Sequence, residues 1–329
     1  MTDRSRLADR ARLLTLCTGL QHTQSLDLLK CVPASAPVIP EPSLEQQVFE
    51  AEFLSAIGGP YDWYAHPLGI ASAHSTADGL HLCLDPVAFP TMLVEQVLPF
   101  LTSDDETYGL AGLRVITADG HVVLRQAGTG AAIHLDNITP DQFAATARKW
   151  HQEWGVPHDE ALWQGPLGRR LPQEADFING HRVHFGRLQE TAWIGSGLLR
   201  RIAMLHNATD AYSVHVRRKH STQWVVRLER RGVGWCDHDQ LRDHLLDPDH
   251  GFGLRLKGAH CNGRIPGVMC TLDLTDATGQ RPGTLQVRLL KTDAVDDLGE
   301  ERGHLAAAGA DLQWLDRVLP GAADAAPAA

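Results

Sequence analysis

The sequence has few cysteines, and they do not cluster. Its six thiols are scattered over 329 residues without a C-x-x-C pair. This pattern excludes a disulfide framework and indicates reduced thiols inside a cell. Long hydrophobic runs are also missing, since no apolar stretch approaches the roughly 18 residues that a membrane-spanning helix needs. We therefore expect a soluble, cytoplasmic protein that does not contact a membrane.

The short motifs of several enzyme classes are absent as well. The G-x-G pairs that begin at Gly128, Gly232 and Gly251 each lack the third glycine of a dinucleotide-binding loop. No phosphate-binding G-x-x-x-x-G-K-S/T run and no H-E-x-x-H zinc motif occurs. Ser196 lies between two glycines without the flanking pattern of a hydrolase nucleophile, so we interpret it as a helix N-cap.

The overall composition is that of an ordinary globular protein. Apolar residues make up 43% of the chain and charged residues 21%, which excludes global disorder, a collagen-like chain and a coiled coil. The length allows one large domain or two of moderate size. We predict a helical arm over residues 1–60, α+β domains over 61–165 and 170–320, and a disordered tail over 321–329.

Helix signals dominate the predicted arm. Leu7, Ala11, Leu14 and Thr18 recur at helical spacing, which favours an amphipathic helix that covers a core over a targeting segment. A second helix is expected to begin after Ser43, with a capping box, and to end at the glycines from position 58.

Beyond the arm, strand signals come as adjacent hairpins. We predict a three-stranded meander over 113–135, followed by a helix capped by Thr139. Hairpins are also expected after Asn179-Gly180, over 212–228 and over 268–289, with short helices between them and a closing helix over 300–319. Adjacent hairpins argue against a doubly wound parallel sheet. They predict an α+β protein with mixed or antiparallel sheets and covering helices.

The charges are divided unevenly along the chain. The formal net charge is −10, but residues 1–159 carry −10, residues 160–231 carry +6 and residues 232–329 carry −6. Eleven of the twelve cations in the middle segment are arginines, which suit bidentate contact with carboxylate or phosphate. Solvated surface charge and internal salt bridges are the alternative explanations.

We expect this basic segment to bind a protein partner or another anionic ligand, as an accessory or assembly protein would. Nucleic acid is disfavoured, because distant acidic surface repels a polyanion. The residues expected to form the contact are Arg182, Arg187, His215, Arg217, Arg218, Lys219, Arg227 and Arg230.

A metal-dependent enzyme is the alternative function. His134 and Asp136 form an H-x-D triplet at the end of a predicted strand, and His184 follows on another. Three H-x-D/E triplets occur where chance predicts roughly two, so only the strand context singles out this one. The arrangement resembles the H-x-D…H motif of the ferrous, 2-oxoglutarate-dependent oxygenases. That resemblance implies an iron centre at these three residues, with Arg187 holding the co-substrate carboxylate at a shorter spacing than is usual there.

Two further alternatives fall on one later segment. Its cysteines and histidines are zinc-compatible, but their spacing matches no common zinc module. A single activated thiol at Cys236 or Cys261 is the other possibility. The zinc-compatible residues are Cys236, His238, His244, His250, His260 and Cys261.

Overall fold

Helices pack over mixed sheets along the chain, which confirms the predicted α+β class. The computed structural model describes residues 3–59, 64–76, 79–102, 106–156, 161–209, 211–219, 222–230, 238–248, 252–261, 270–291 and 298–319. The predicted tail lies outside these ranges. None of the helices within them combines the length and apolarity needed to cross a bilayer.

Three helices form the N-terminal region. They are α1 (Asp3–Thr18), α2 (His22–Lys30) and α3 (Leu44–Ile57). The predicted buried face of α1 is confirmed in the middle of the helix, where Ala11 and Leu14 are buried. Ser43 caps α3 by accepting a hydrogen bond from the backbone of the residue three positions on, as its sequence predicts.

The first five-stranded sheet has the order β1-β2-β7-β6-β5, and its only parallel contact joins β2 to β7 among the described strands. The meander is confirmed, with the Asp119-Gly120 turn in the positive φ region that tight hairpins use. Helix α4 follows the sheet, capped by Thr139 as predicted. The elements are β1 (Ile70–Thr76), β2 (Gly79–Leu84), β3 (Phe100–Leu101), β4 (Thr107–Tyr108), β5 (Leu113–Ala118), β6 (His121–Gln126), β7 (Ala132–Leu135) and α4 (Pro140–Trp154).

The hairpin predicted after Asn179-Gly180 is wrong. Residues on both sides of it form the helices α5 (Pro172–Gly180) and α6 (Arg182–Leu199), followed by α7 (Met204–Asn207). The alternation that suggested a strand over 182–188 is short. Every residue from Thr191 to Arg200 is buried, and packing of this all-round buried part of the helix against α3 determines the local structure.

The second five-stranded sheet has the order β8-β9-β12-β11-β10, with β9 and β12 parallel and the other neighbours antiparallel. Both predicted hairpins of this region are confirmed, whereas β10 was missed. The predicted closing helix is two helices, separated at Gly309, whose φ is +92°. The elements are β8 (Ser213–Lys219), β9 (Gln223–Arg230), α8 (His238–Leu246), β10 (Leu254–Cys261), β11 (Cys270–Asp276), β12 (Thr284–Lys291), α9 (Leu298–Ala307) and α10 (Leu312–Val318).

The two halves repeat one topology. In each half a long helix precedes a hairpin, a connecting segment leads to a three-stranded meander, and the last meander strand pairs in parallel with the second hairpin strand. Helix α3 begins the first copy and α6 the second. The strands β1, β2 and β7 therefore correspond to β8, β9 and β12, although no sequence repeat is evident.

The equivalent helices α3 and α6 pack against each other at the centre of the molecule. Trp224 of β9 is fully buried there, and its indole Nε1 donates to the Thr191 carbonyl of α6 at 3.2 Å. Glu50 of α3 forms a buried ion pair with Arg200, 2.6 Å away. Since Arg200 also donates to Ser75 of β1, the central helices connect the two halves.

Candidate functional site

The outer face of the second sheet carries three cations of the basic segment, which are Arg217, Lys219 and Arg227. Side chains alternate between the faces of a strand, and the register of β8 with β9 puts His215 opposite Arg227. Arg288 of β12 lies next to Arg227 on the same row. We call this surface the basic sheet face, formed by His215, Arg217, Lys219, Arg227, Arg255 and Arg288.

Acidic groups on this face neutralise only part of its charge. A carboxylate oxygen of Glu229 forms an ion pair with the guanidinium of Arg227 at 2.6 Å and lies 4.0 Å from Nε2 of His215. Burial lowers the pKa of His215, Glu229 raises it, and the two nearby arginines lower it again. Arg217 is exposed, and within the described residues no ion pair to it is seen. The face can therefore present guanidinium groups to an anion.

The other predicted contact residues are placed differently. Arg218 lies on the inner side of β8, where burial lowers its pKa and the charge of Glu52 raises it. Arg230 shares that inner parity at the end of β9. Arg182 and Arg187 belong to α6, and their side chains are outside the described residues.

Part of the basic segment is internal, in line with the salt-bridge alternative. Besides Arg200, the guanidinium of Arg201 is buried, stacks on the Phe252 ring at 4.8 Å and donates to the carbonyl of Gly197. The positive charge of residues 160–231 is thus divided among buried arginines, the basic sheet face, and Arg169 and Arg170, which are exposed ahead of α5.

A row of three histidines crosses the outer face of the first sheet. The register aligns His74 of β1, His81 of β2 and His134 of β7 on adjacent strands. The rings of His81 and His134 are nearly parallel, with centroids 4.3 Å apart, and those of His74 and His81 are 5.0 Å apart. These three strands are the equivalents of the strands that carry His215, Arg227 and Arg288.

Asp136 lies just after the end of β7, next to the middle histidine of this row. One of its carboxylate oxygens is 2.7 Å from Nδ1 of His81. One ligand atom from each of His74, His81 and Asp136 lies within 4.8 Å of the other two, which defines a candidate cation site. Burial lowers the pKa of His74, Asp136 raises it and His81 lowers it, so a neutral imidazole is favoured there.

The backbone fixes the position of Asp136. Its amide donates to the carbonyl of Leu82 at 2.9 Å, which extends the pairing of β7 with β2. The next residue, Asn137, uses its side chain to bond both the amide and the carbonyl of Leu84. These three hydrogen bonds hold the backbone of residues 136–137 beside β2, and the Asp136 carboxylate is thereby positioned next to His81.

The predicted triad is only partly brought together. His134 and Asp136 share the end of β7, as expected. His184 lies in α6 instead of on a strand, and its side chain is outside the described residues. His74 and His81 were missed because the sequence of β1 is small and polar. The alternation of leucine with His81 in β2 was the available signal.

Among the residues that the structure describes, no group of potential metal ligands is found in the segment 236–261 that was considered for zinc. His238 and His244 lie on α8, whereas His260 and Cys261 lie on β10. Cys236 and His250 are outside the described residues.

Comparisons of the chain with protein-family models, with curated proteins and with solved structures found no match.

Proposed function

We propose that the chain is a binding protein, of an accessory or assembly kind, that holds an acidic partner on the basic sheet face. The observation that carries this proposal is the alignment of His215, Arg227 and Arg288 across three adjacent strands, with Arg217 beside them. Arginine at several points of a rigid sheet suits carboxylates, because each guanidinium offers a planar pair of donors.

An acidic protein surface is favoured over a nucleic acid as the partner. The net charge of −10 would repel a long polyanion that extends beyond the basic sheet face, whereas a compact acidic patch contacts this face alone. Arg227 already pairs with Glu229, so a partner carboxylate would compete for that guanidinium and would bind best where Arg217 and Arg288 add to it.

Charge reversal on this face tests the proposal. We expect wild-type protein to be retained on immobilised poly-glutamate and released by salt, because the contacts are exposed ion pairs. The double variant Arg217→Glu/Arg227→Glu should lose retention and most of its salt dependence. Arg12→Glu/Arg242→Glu changes the net charge equally at surface sites on α1 and α8, outside the second sheet, and it should keep most of the retention.

Two results would contradict the proposal. One is equal loss of retention in both double variants, which would reflect net charge alone. The other is stronger retention of the wild-type protein on a single-stranded oligonucleotide than on poly-glutamate, which would favour a nucleic-acid partner.

The ferrous oxygenase alternative needs His184 beside His134 and Asp136. Since the side chain of His184 is outside the described residues, this alternative remains a prediction. Iron analysis of the purified wild-type protein and of a His184→Ala variant is its direct test.

A further inference from the structure

The outer face of the first sheet carries a ligand set unrelated to the basic sheet face. We propose that His74, His81 and Asp136 bind one divalent transition-metal ion, with zinc as the reference case. The set consists of two imidazoles, one each from the adjacent strands β1 and β2, and one carboxylate from the residue just after β7.

The ligand atoms are near the spacing that a metal requires. Ligands at roughly 2.1 Å from a tetrahedral zinc ion lie about 3.4 Å from one another. Here one ligand atom of each residue lies within 4.8 Å of the others. The His81 nitrogen and the Asp136 oxygen are closer than that spacing, at 2.7 Å. Small side-chain rotations on a fixed backbone would therefore complete the set.

The polar atoms of the site also favour a cation. Nδ1 of His74 is buried and has no hydrogen-bond partner among the described residues. Leaving a buried imidazole nitrogen unsatisfied is costly, and coordination to a metal would satisfy it. The carboxylate of Asp136 supplies the negative charge that an ion between two neutral imidazoles needs.

The site is both ordered and accessible. Strand pairing fixes the backbones of all three ligands, and the ring of His134 stacks on His81 and restrains its orientation. His81 and Asp136 remain 19% and 38% exposed, so an ion can reach them from solvent. Imidazole and carboxylate together suit zinc, cobalt, nickel or iron better than calcium or magnesium. Three protein ligands leave at least one position for water or a small ligand.

Titration calorimetry of the metal-stripped full chain with Zn²⁺ tests this site. We expect one zinc site per chain that weakens at least about tenfold in His74→Ala, His81→Ala and Asp136→Asn. Asp136→Asn is the most informative variant, because it preserves the shape of the side chain and its ability to bond His81. His121→Ala removes an exposed histidine of the same sheet and should bind zinc like the wild type.

One variant and one spectrum distinguish the proposed ligands from the neighbouring His134 and from the cysteines. His134→Phe keeps an aromatic ring stacked on His81 and should retain zinc binding, since His134 is not a ligand in the proposal. Cobalt substitution should give visible bands without the intense near-ultraviolet band of thiolate ligation. Far-ultraviolet circular dichroism of each metal-free variant checks that its fold is unchanged.

The proposal fails if the wild-type chain binds no zinc, or if the three ligand variants bind it as tightly as the wild type. A thiolate band in the cobalt spectrum would show that cysteine binds the ion, and this result would also overturn the proposal. Loss of zinc binding in His134→Phe with full binding in His74→Ala would replace the ligand set. None of these results bears on retention by poly-glutamate, so this site and the basic sheet face succeed or fail separately.

Discussion

Glu52 is a carboxyl group whose environment opposes its ionisation. The residue lies on α3 and is only 8% exposed. Burial raises its pKa from an ordinary value of 4.5 to about 7, although the charges of Arg170 and Arg218 act in the opposite direction. Desolvation therefore outweighs the two arginines, and the group is protonated in the folded protein over a pH range in which the unfolded chain has lost that proton.

This difference predicts a pH-dependent loss of stability. Between pH 4.5 and about 7 the folded chain holds one more proton at Glu52 than the unfolded chain, so the free energy of unfolding falls as the pH rises. Above that window the loss is complete. Relative to the wild type, Glu52→Gln should gain roughly 3 kcal/mol across the window, because it cannot ionise.

Urea unfolding at several pH values measures this gain. Glu45→Gln changes an exposed glutamate at the start of the same helix, and its unfolding free energy should stay parallel to that of the wild type. A constant difference between Glu52→Gln and the wild type from pH 4.5 to 8 would show that the folded protein ionises Glu52 normally.

At the scale of elements, the close contact of α6 with α3 and β9 requires a glycine at position 195. A Cβ atom added to Gly195 would lie 2.6 Å from the Trp224 ring and 2.8 Å from the Cβ of Ala51. Both neighbours are buried and the ring is held by hydrogen bonds to Thr191, so neither has space to move. Glycine at this position is explained by packing.

Substitution of this glycine should separate packing from helix propensity. Gly195→Ala is expected to destabilise the protein by about 1–3 kcal/mol, because overpacking a buried contact forces shifts in the core. Gly186 lies on the same helix with no described atom within 4 Å of an added Cβ, and Gly186→Ala should stabilise it by roughly 0.5–1 kcal/mol. Urea unfolding measures both changes, and the same sign for both would contradict the packing explanation.

The elements that could be predicted from sequence are those with a strong local signal. The meander over 113–135 has alternating apolar residues and an Asp-Gly turn, and the hairpin of β8 and β9 alternates on both arms. Strand β1 has mostly small and polar residues and is held by its neighbours, so its local sequence does not identify it. Because β1 and β2 were not predicted from the sequence, two of the three proposed metal ligands, His74 and His81, were not identified either.

The basic sheet face was more predictable than the metal site for the same reason. His215, Arg217 and Arg227 lie on one hairpin, and alternation alone puts them on one side. The histidine row joins positions 74, 81 and 134 through the parallel pairing of β2 with β7, which no local pattern reveals. Arg288 joined the basic sheet face only through the equivalent parallel pair of β9 and β12.

At the scale of the whole molecule, the repeated topology makes the two halves interdependent. Each half supplies one of the two central helices, and the core formed around them is continuous across both sheets. Glu50 and Arg200 place a buried ion pair across that junction. Separating the halves would expose the apolar faces of both helices and leave each charge without its partner, and an unpaired buried charge is strongly destabilising.

We therefore expect that neither half folds alone, despite the domain boundary predicted near residue 170. Residues 170–329 expressed separately should aggregate or lack a cooperative thermal transition, because α3 is missing from their core. Co-expression of residues 1–169 with 170–329 should give a 1:1 complex on size-exclusion chromatography with the circular dichroism of the intact chain. Glu50→Ala in the first fragment should reduce recovery of that complex, whereas Glu45→Ala, at an exposed site on the same helix, should not. A monomeric, cooperatively unfolding 170–329 fragment would show instead that the second sheet and α6 form an independent domain, with α3 contributing an interface and not part of a shared core.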